Sequence, residues 1–107
     1  MPDNNIFAAI PQCLDQELVE KLVENKDVSI ERIVSKGHTS PASGWYDQPK
    51  NEWVIVLKGE AIIRFEDESE IRLSAGSYIE IAAHKKHRVS WTDLDVETIW
   101  LAVHYPS

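Results

Sequence analysis

In the stretch "GWYDQPKNEWVIVLKGE", residues 44–60, the carboxylates Asp47 and Glu52 flank a proline turn, and Glu52 then opens the apolar run "WVIVL". Alternation along a strand puts Glu52 on the same side as Val54 and Val56, facing an interior. An unpaired carboxylate there costs several kcal/mol unless it shifts its pKa or meets a cation. Asp47 lies five positions back across "QPKN", where Pro49 suits a tight reversal. A turn joining segments 43–47 and 52–58 therefore places two carboxylates side by side at one end of a sheet. A divalent cation is the simplest remedy for their repulsion. The second half of the chain supplies an imidazole: His87 alternates with Val89 and Trp91 and is expected to face the same interior.

The elements that must position these groups are short. Runs rich in Val, Ile, Trp, Tyr and Phe recur at about 28–35, 43–47, 52–58, 60–66, 69–73, 78–82, 87–91 and 97–105, separated by Gly, Pro, Asp, Ser or Lys. Their spacing predicts an all-β sandwich or barrel, and the short links predict mostly antiparallel neighbours. One helix is expected, over Asp15–Asn25, where Asp15 suits an N-cap and Leu14, Leu18 and Leu22 recur every four residues. The expected organisation is an N-terminal arm and helix over residues 1–27, packed on a barrel of residues 28–107. Trp53, Ile55 and Leu57 form a second apolar face that needs a cover. A second copy of the chain, giving a homodimer, is the preferred cover and the N-terminal helix the competing one.

The chain resembles the cupin superfamily, small jelly-roll barrels also described as double-stranded β-helices, which carry two metal-site motifs. Glu52 and Gly59, with six residues between them, match the end of the first motif, and Gly76 and His87, eleven positions apart, match the second. Sixteen residues separate the motifs, as in compact members, and the resemblance spans about residues 28–105. The two first-motif histidine positions hold Trp45 and Asp47, and in the second motif Ala82, His84 and Trp91 replace the proline, a glycine and the asparagine. The resemblance implies a metal pocket at this end of the barrel, with Glu52 and His87 as ligands and Asp47 standing in for a histidine. A fourth ligand would be His104 on the last strand, His38, or water, with His84 expected exposed or at the mouth. Two carboxylates and an imidazole suit iron, manganese or zinc. Trp45, Tyr46, Trp91 and Trp100 are candidates to wall the pocket. The implied function is a small metal-binding cupin holding a small polar metabolite, with metal-dependent catalysis left open; the alternative is a metal-free binding or sensing module.

Composition narrows the partners. At 107 residues the chain has room for one core, and 43% hydrophobic with 27% charged residues is the balance of a soluble globular protein. A net charge of −7 argues against nucleic acid, because the single basic knot "HKKHR" at residues 84–88 has nothing to extend it. No apolar run approaches the roughly 18 residues of a membrane span. The start "MPDNNIFAAIPQ" has no basic region followed by an apolar one, which leads to the expectation of a cytoplasmic protein. Cys13 is the one cysteine and has no partner for an internal disulfide.

Overall fold

The computed structural model describes residues 4–107. Eight strands follow in order: β1 (Leu18–Glu24), β2 (Ser29–Ser35), β3 (Asn51–Lys58), β4 (Glu60–Phe65), β5 (Glu70–Ser74), β6 (Tyr78–Ile81), β7 (His87–Thr92) and β8 (Thr98–Tyr105). All pairings are antiparallel, in a five-stranded sheet ordered β1-β2-β8-β3-β6 and a three-stranded sheet ordered β5-β4-β7. Seven of the eight runs expected from the sequence are strands. The fold is an all-β jelly roll.

The helix expected over Asp15–Asn25 does not form: Leu18–Glu24 is the edge strand β1. A three-turn helix is marginal unless its apolar face is buried. The same residues instead satisfy their backbone groups along β2, from Leu18 opposite Val34 to Glu24 opposite Ser29, with a register shift between Lys21 and Val23. The four-residue recurrence of leucines was a coincidence of spacing that tertiary pairing overrides. The run at 43–47 is likewise not a strand. It belongs to a loop that runs beside β7 and touches it at two antiparallel bridges, Ser40 with Val89 and Tyr46 with His87.

Between the sheets lie Val54, Val56, Ala61, Ile63, Phe65, Leu73, Ile81, Trp100 and Ala102, all buried. The chain passes from one sheet to the other at Gly59, whose φ is +87°. A side chain there would put its Cβ 2.5 Å from Thr98 Oγ1 and 2.7 Å from both Glu97 O and Thr98 Cα, so glycine is required for the backbone to cross this close to β8. The outer face of the five-stranded sheet is partly covered by the N-terminal segment. Arg32 there is fully buried, pairs with Glu20, and donates to the carbonyls of Ala8 at 2.6 Å and Ile6 at 3.2 Å. Trp53, Ile55 and Leu57 on β3 are half-buried rather than sealed.

Candidate functional site

Alternation along β3 places Glu52 inward with the buried Val54 and Val56, as expected. Register then decides its neighbours. Glu52 stands opposite His104 on β8 and opposite Ile81 on β6, and β7 of the other sheet brings His87 across the interior. His87 Nε2 lies 3.4 Å from Glu52 Oε1, and His104 Nε2 lies 3.8 Å from Glu52 Oε2 and 3.1 Å from Glu31 Oε1. The result is an alternating row of imidazole and carboxylate, His87, Glu52, His104 and Glu31, running across the inner face. Gln48 from the preceding loop donates to Glu52 Oε1 at 3.0 Å.

The row borders a cavity of about 190 Å³ between the sheets. Glu17, Ser40 and Tyr46 complete its polar wall, and Val19, Ile33, Val54, Ile63, Ile81, Val89 and Trp100 its apolar one. Val19 is half exposed and marks the mouth beside β1. The volume is below the roughly 300–1,000 Å³ of drug-sized sites, so it suits a small metabolite.

The electrostatics follow from burial and pairing. Burial pushes the Glu52 carboxyl up, but His87, the charge of His104 and the Gln48 amide together outweigh it, and the pKa is lowered. Burial likewise pushes His87 down, and the Glu52 carboxylate with the Lys85 carbonyl reverses this, leaving it raised. His87 Nδ1–H donates to Lys85 O at 2.9 Å, which turns Nε2 toward Glu52 and the cavity. Tyr46 packs tilted against the His87 ring at 5.5 Å, and burial raises its hydroxyl pKa. Glu17 accepts from Ser35 Oγ at 2.9 Å and is raised by burial, partly offset by Ser35 and His38.

Of the four expected metal ligands, Glu52, His87 and His104 converge and Asp47 does not join them. Asp47 lies on the surface, 2.7 Å from His84 Nδ1, with both side chains well exposed. His84 is held there at a φ of +62°, and its amide donates to the Gln48 carbonyl at 2.7 Å. His38 accepts from the Lys36 amide at 2.9 Å and is outside the cavity wall. Among the aromatic candidates, Tyr46 and Trp100 line the cavity, whereas Trp45 and Trp91 do not. The reason for Trp91 is a register shift: Ile63 faces Val89 but Ile62 faces Trp91, so the extra residue at Ser90 turns Trp91 outward, where Arg72 stacks on it at 5.1 Å. Trp45 sits under Arg88 at 5.9 Å.

Sequence reasoning passed over Glu31, Glu17, Gln48 and Ser40. Glu31 could have been found, because it alternates with Ile33 on a run already read as a strand. Glu17 could not, since its segment read as a helix. For a metal, the fit is incomplete. Among the described residues, no group of three or more His, Cys, Asp or Glu side chains is arranged to hold an ion.

Comparison with known proteins agrees with this geometry. A family model described as a cupin domain matches residues 32–104. A search of curated proteins gives no match. Among solved structures, a protein of Ralstonia eutropha JMP134 described as a "putative mannose-6-phosphate isomerase" is 42% identical, covers 96% of each chain and has a TM-score of 0.90. A cupin superfamily protein of Desulfitobacterium hafniense DCB-2 is 20% identical over 92% of this chain and 84% of its own, with a TM-score of 0.75. A cupin of Methanocaldococcus jannaschii with a double-stranded β-helix fold is 22% identical over 92% and 87%, with a TM-score of 0.72. The sheet order, the cavity at the Glu52 end and the match over residues 32–104 together place this chain in the cupin family.

Proposed function

We propose that the protein binds one small polar metabolite in the cavity, through the row His87, Glu52, His104 and Glu31. The observation that carries this reading is convergence: four ionisable groups from β2, β3, β7 and β8 border a single small cavity, and His87 Nε2 is turned into it by the Lys85 carbonyl. A buried carboxylate held ionised beside an imidazole can accept a ligand hydroxyl or ammonium, and the pair can pass a proton between adjacent positions of a bound molecule. The 42% identical Ralstonia eutropha protein is described as an isomerase of a sugar phosphate: proton transfer fits that description, whereas a phosphate group finds no lysine or arginine on this wall. The test is NMR titration of the imidazole resonances of His87 and His104 with a panel of neutral polyols, hexoses and amino sugars. At least one compound should move both rings in the wild type and none in Ile33→Trp, which fills the cavity. Unmoved rings across the panel, or shifts that survive in the filled variant, overturn the reading.

A second reading, one divalent ion of iron, manganese or zinc on Glu52, His87 and His104, is favoured by the approach of both Nε2 atoms to one carboxylate. Such an ion would supply Lewis acidity when bound. Metal analysis of protein purified without chelator should then find close to one equivalent, and less than about a tenth overturns it.

For the outer face of the five-stranded sheet, where Trp53 packs beside the largely exposed Tyr78, the expected occupant is a second copy of the chain. Sedimentation at micromolar concentration should give roughly twice the 12.2 kDa of one chain, and the single-chain mass alone rejects the dimer.

A further inference from the structure

We infer that the cavity selects a small hydroxylated amine and rejects phosphate esters; this rests on the ligand-binding reading above and specifies its ligand class. The wall carries three carboxylates, Glu17, Glu31 and Glu52, and two imidazoles, His87 and His104, with no lysine or arginine. With the carboxylates ionised, the wall is negative even when both rings are protonated. A phosphate dianion needs arginine, lysine or a helix N-terminus to replace its water. The described residues contain no helix, and the nearby cations are committed elsewhere. Arg32 lies on the opposite face of β2 with Glu20, Arg88 lies over Trp45, and Lys85 lies over Phe65 at 4.4 Å.

The remaining wall groups suit the hydroxyls of such a ligand. The Ser40 and Tyr46 hydroxyls add two groups that can both donate and accept. Glu17 contributes from outside the family motifs. Burial raises its pKa, and an ammonium beside it would restore the ionised form.

Calorimetric titration of the full chain, freed of metal, with glucosamine, glucose and glucose 6-phosphate tests this, because the three share a ring and differ in one group. Glucosamine should bind about tenfold or more tighter than glucose, and glucose 6-phosphate should give no binding heat. Glu17→Gln, which keeps the shape and removes the charge, should shrink the amine-over-hydroxyl ratio about fivefold. Equal affinities for amine and alcohol, or tighter binding of the phosphate, overturn the selection. So does silence from all three sugars when the wider panel moves the His87 and His104 rings, and in that case the cavity reading stands. If nothing moves the rings, both fall.

Discussion

Asp47 and Glu52 are five positions apart, and each faces an imidazole, but the two pairs live in different media. Asp47 and His84 approach to 2.7 Å on the surface, with side chains 44% and 68% exposed. Glu52 and His87 stand farther apart, at 3.4 Å, with side chains 13% and 5% exposed. The shorter contact is the weaker one. A pair of unit charges 4 Å apart is worth about 1 kcal/mol in bulk water and about 4 kcal/mol at the effective dielectric of a protein. Side-chain entropy takes back most of the surface gain. The inner pair also carries a cost that the outer one lacks, since removing one member strands the other away from water. Burial, not proximity, therefore separates a site from an incidental surface contact.

The largest expected effect follows from Glu52, which alone touches His87, His104 and Gln48. Glu52→Ala leaves the His87 imidazole and the Gln48 amide without their shared carboxylate and takes a nearby charge from His104, which keeps Glu31; it should destabilise the protein by about 2–4 kcal/mol in urea denaturation. A loss under about 1 kcal/mol would make the inner pair no different in kind from the outer one. His87→Ala should cost less, about 1–2 kcal/mol, because Glu52 keeps Gln48 and His104 and the cavity admits water to the vacated space.

The pH dependence sharpens the contrast further. The folded-state pKa of His87 is raised above its usual 6.5, so its contribution is complete below that value and is lost as pH rises through the raised one. That of Glu52 is lowered below its usual 4.5, so its contribution is complete above 4.5 and is lost as pH falls through the lowered value. Both act together between about 4.5 and 6.5. The stability difference between wild type and His87→Gln should therefore be greater near pH 5.5 than near pH 8. A difference that is flat with pH, or larger at pH 8, contradicts the assigned pairing.

Much of this could be read from the residues because strand alternation is a local rule. It placed Glu52 with Val54 and Val56, and His87 with Val89, before any partner was known. Where alternation failed, a backbone event intervened that leaves little trace in composition: the extra residue near Ser90 reverses Trp91 while Val89 stays inside. Asp47 was misjudged for a different reason. Segment 43–47 was expected to pair as a regular strand, but the chain makes only the Tyr46–His87 bridge there. Tyr46 then faces the cavity, and Asp47 turns out to the His84 side. The N-terminal segment was the hardest to read. Helical spacing in "LVEKLVE" is a signal within the segment, whereas its pairing to β2 depends on residues five to sixteen positions away, outside it. Glu17 was lost along with it, because helical spacing carries no strand alternation that would put it on a cavity wall.

The smallest expected effect is also the one that isolates what burial contributes. A double-mutant cycle with Asp47→Ala and His84→Ala should return a coupling energy below about 0.5 kcal/mol, against about 1.5 kcal/mol or more for the corresponding Glu52 and His87 cycle. Both single surface variants should stay within about 0.5 kcal/mol of wild type in urea and should titrate polyols and amino sugars as the wild type does. The short Asp47–His84 distance makes this a demanding test, since a purely geometric view ranks the outer pair above the inner one. His84 sits at a φ of +62°, and alanine is no more at ease there, so any loss in that variant should be the same in the Asp47→Ala background and cancel from the cycle. A surface coupling as large as the interior one would mean that the His84 turn orders the Gln48 loop through this contact and so holds Gln48 against Glu52. In that case Asp47 would belong to the site as a positioning residue, through the loop and not through a metal.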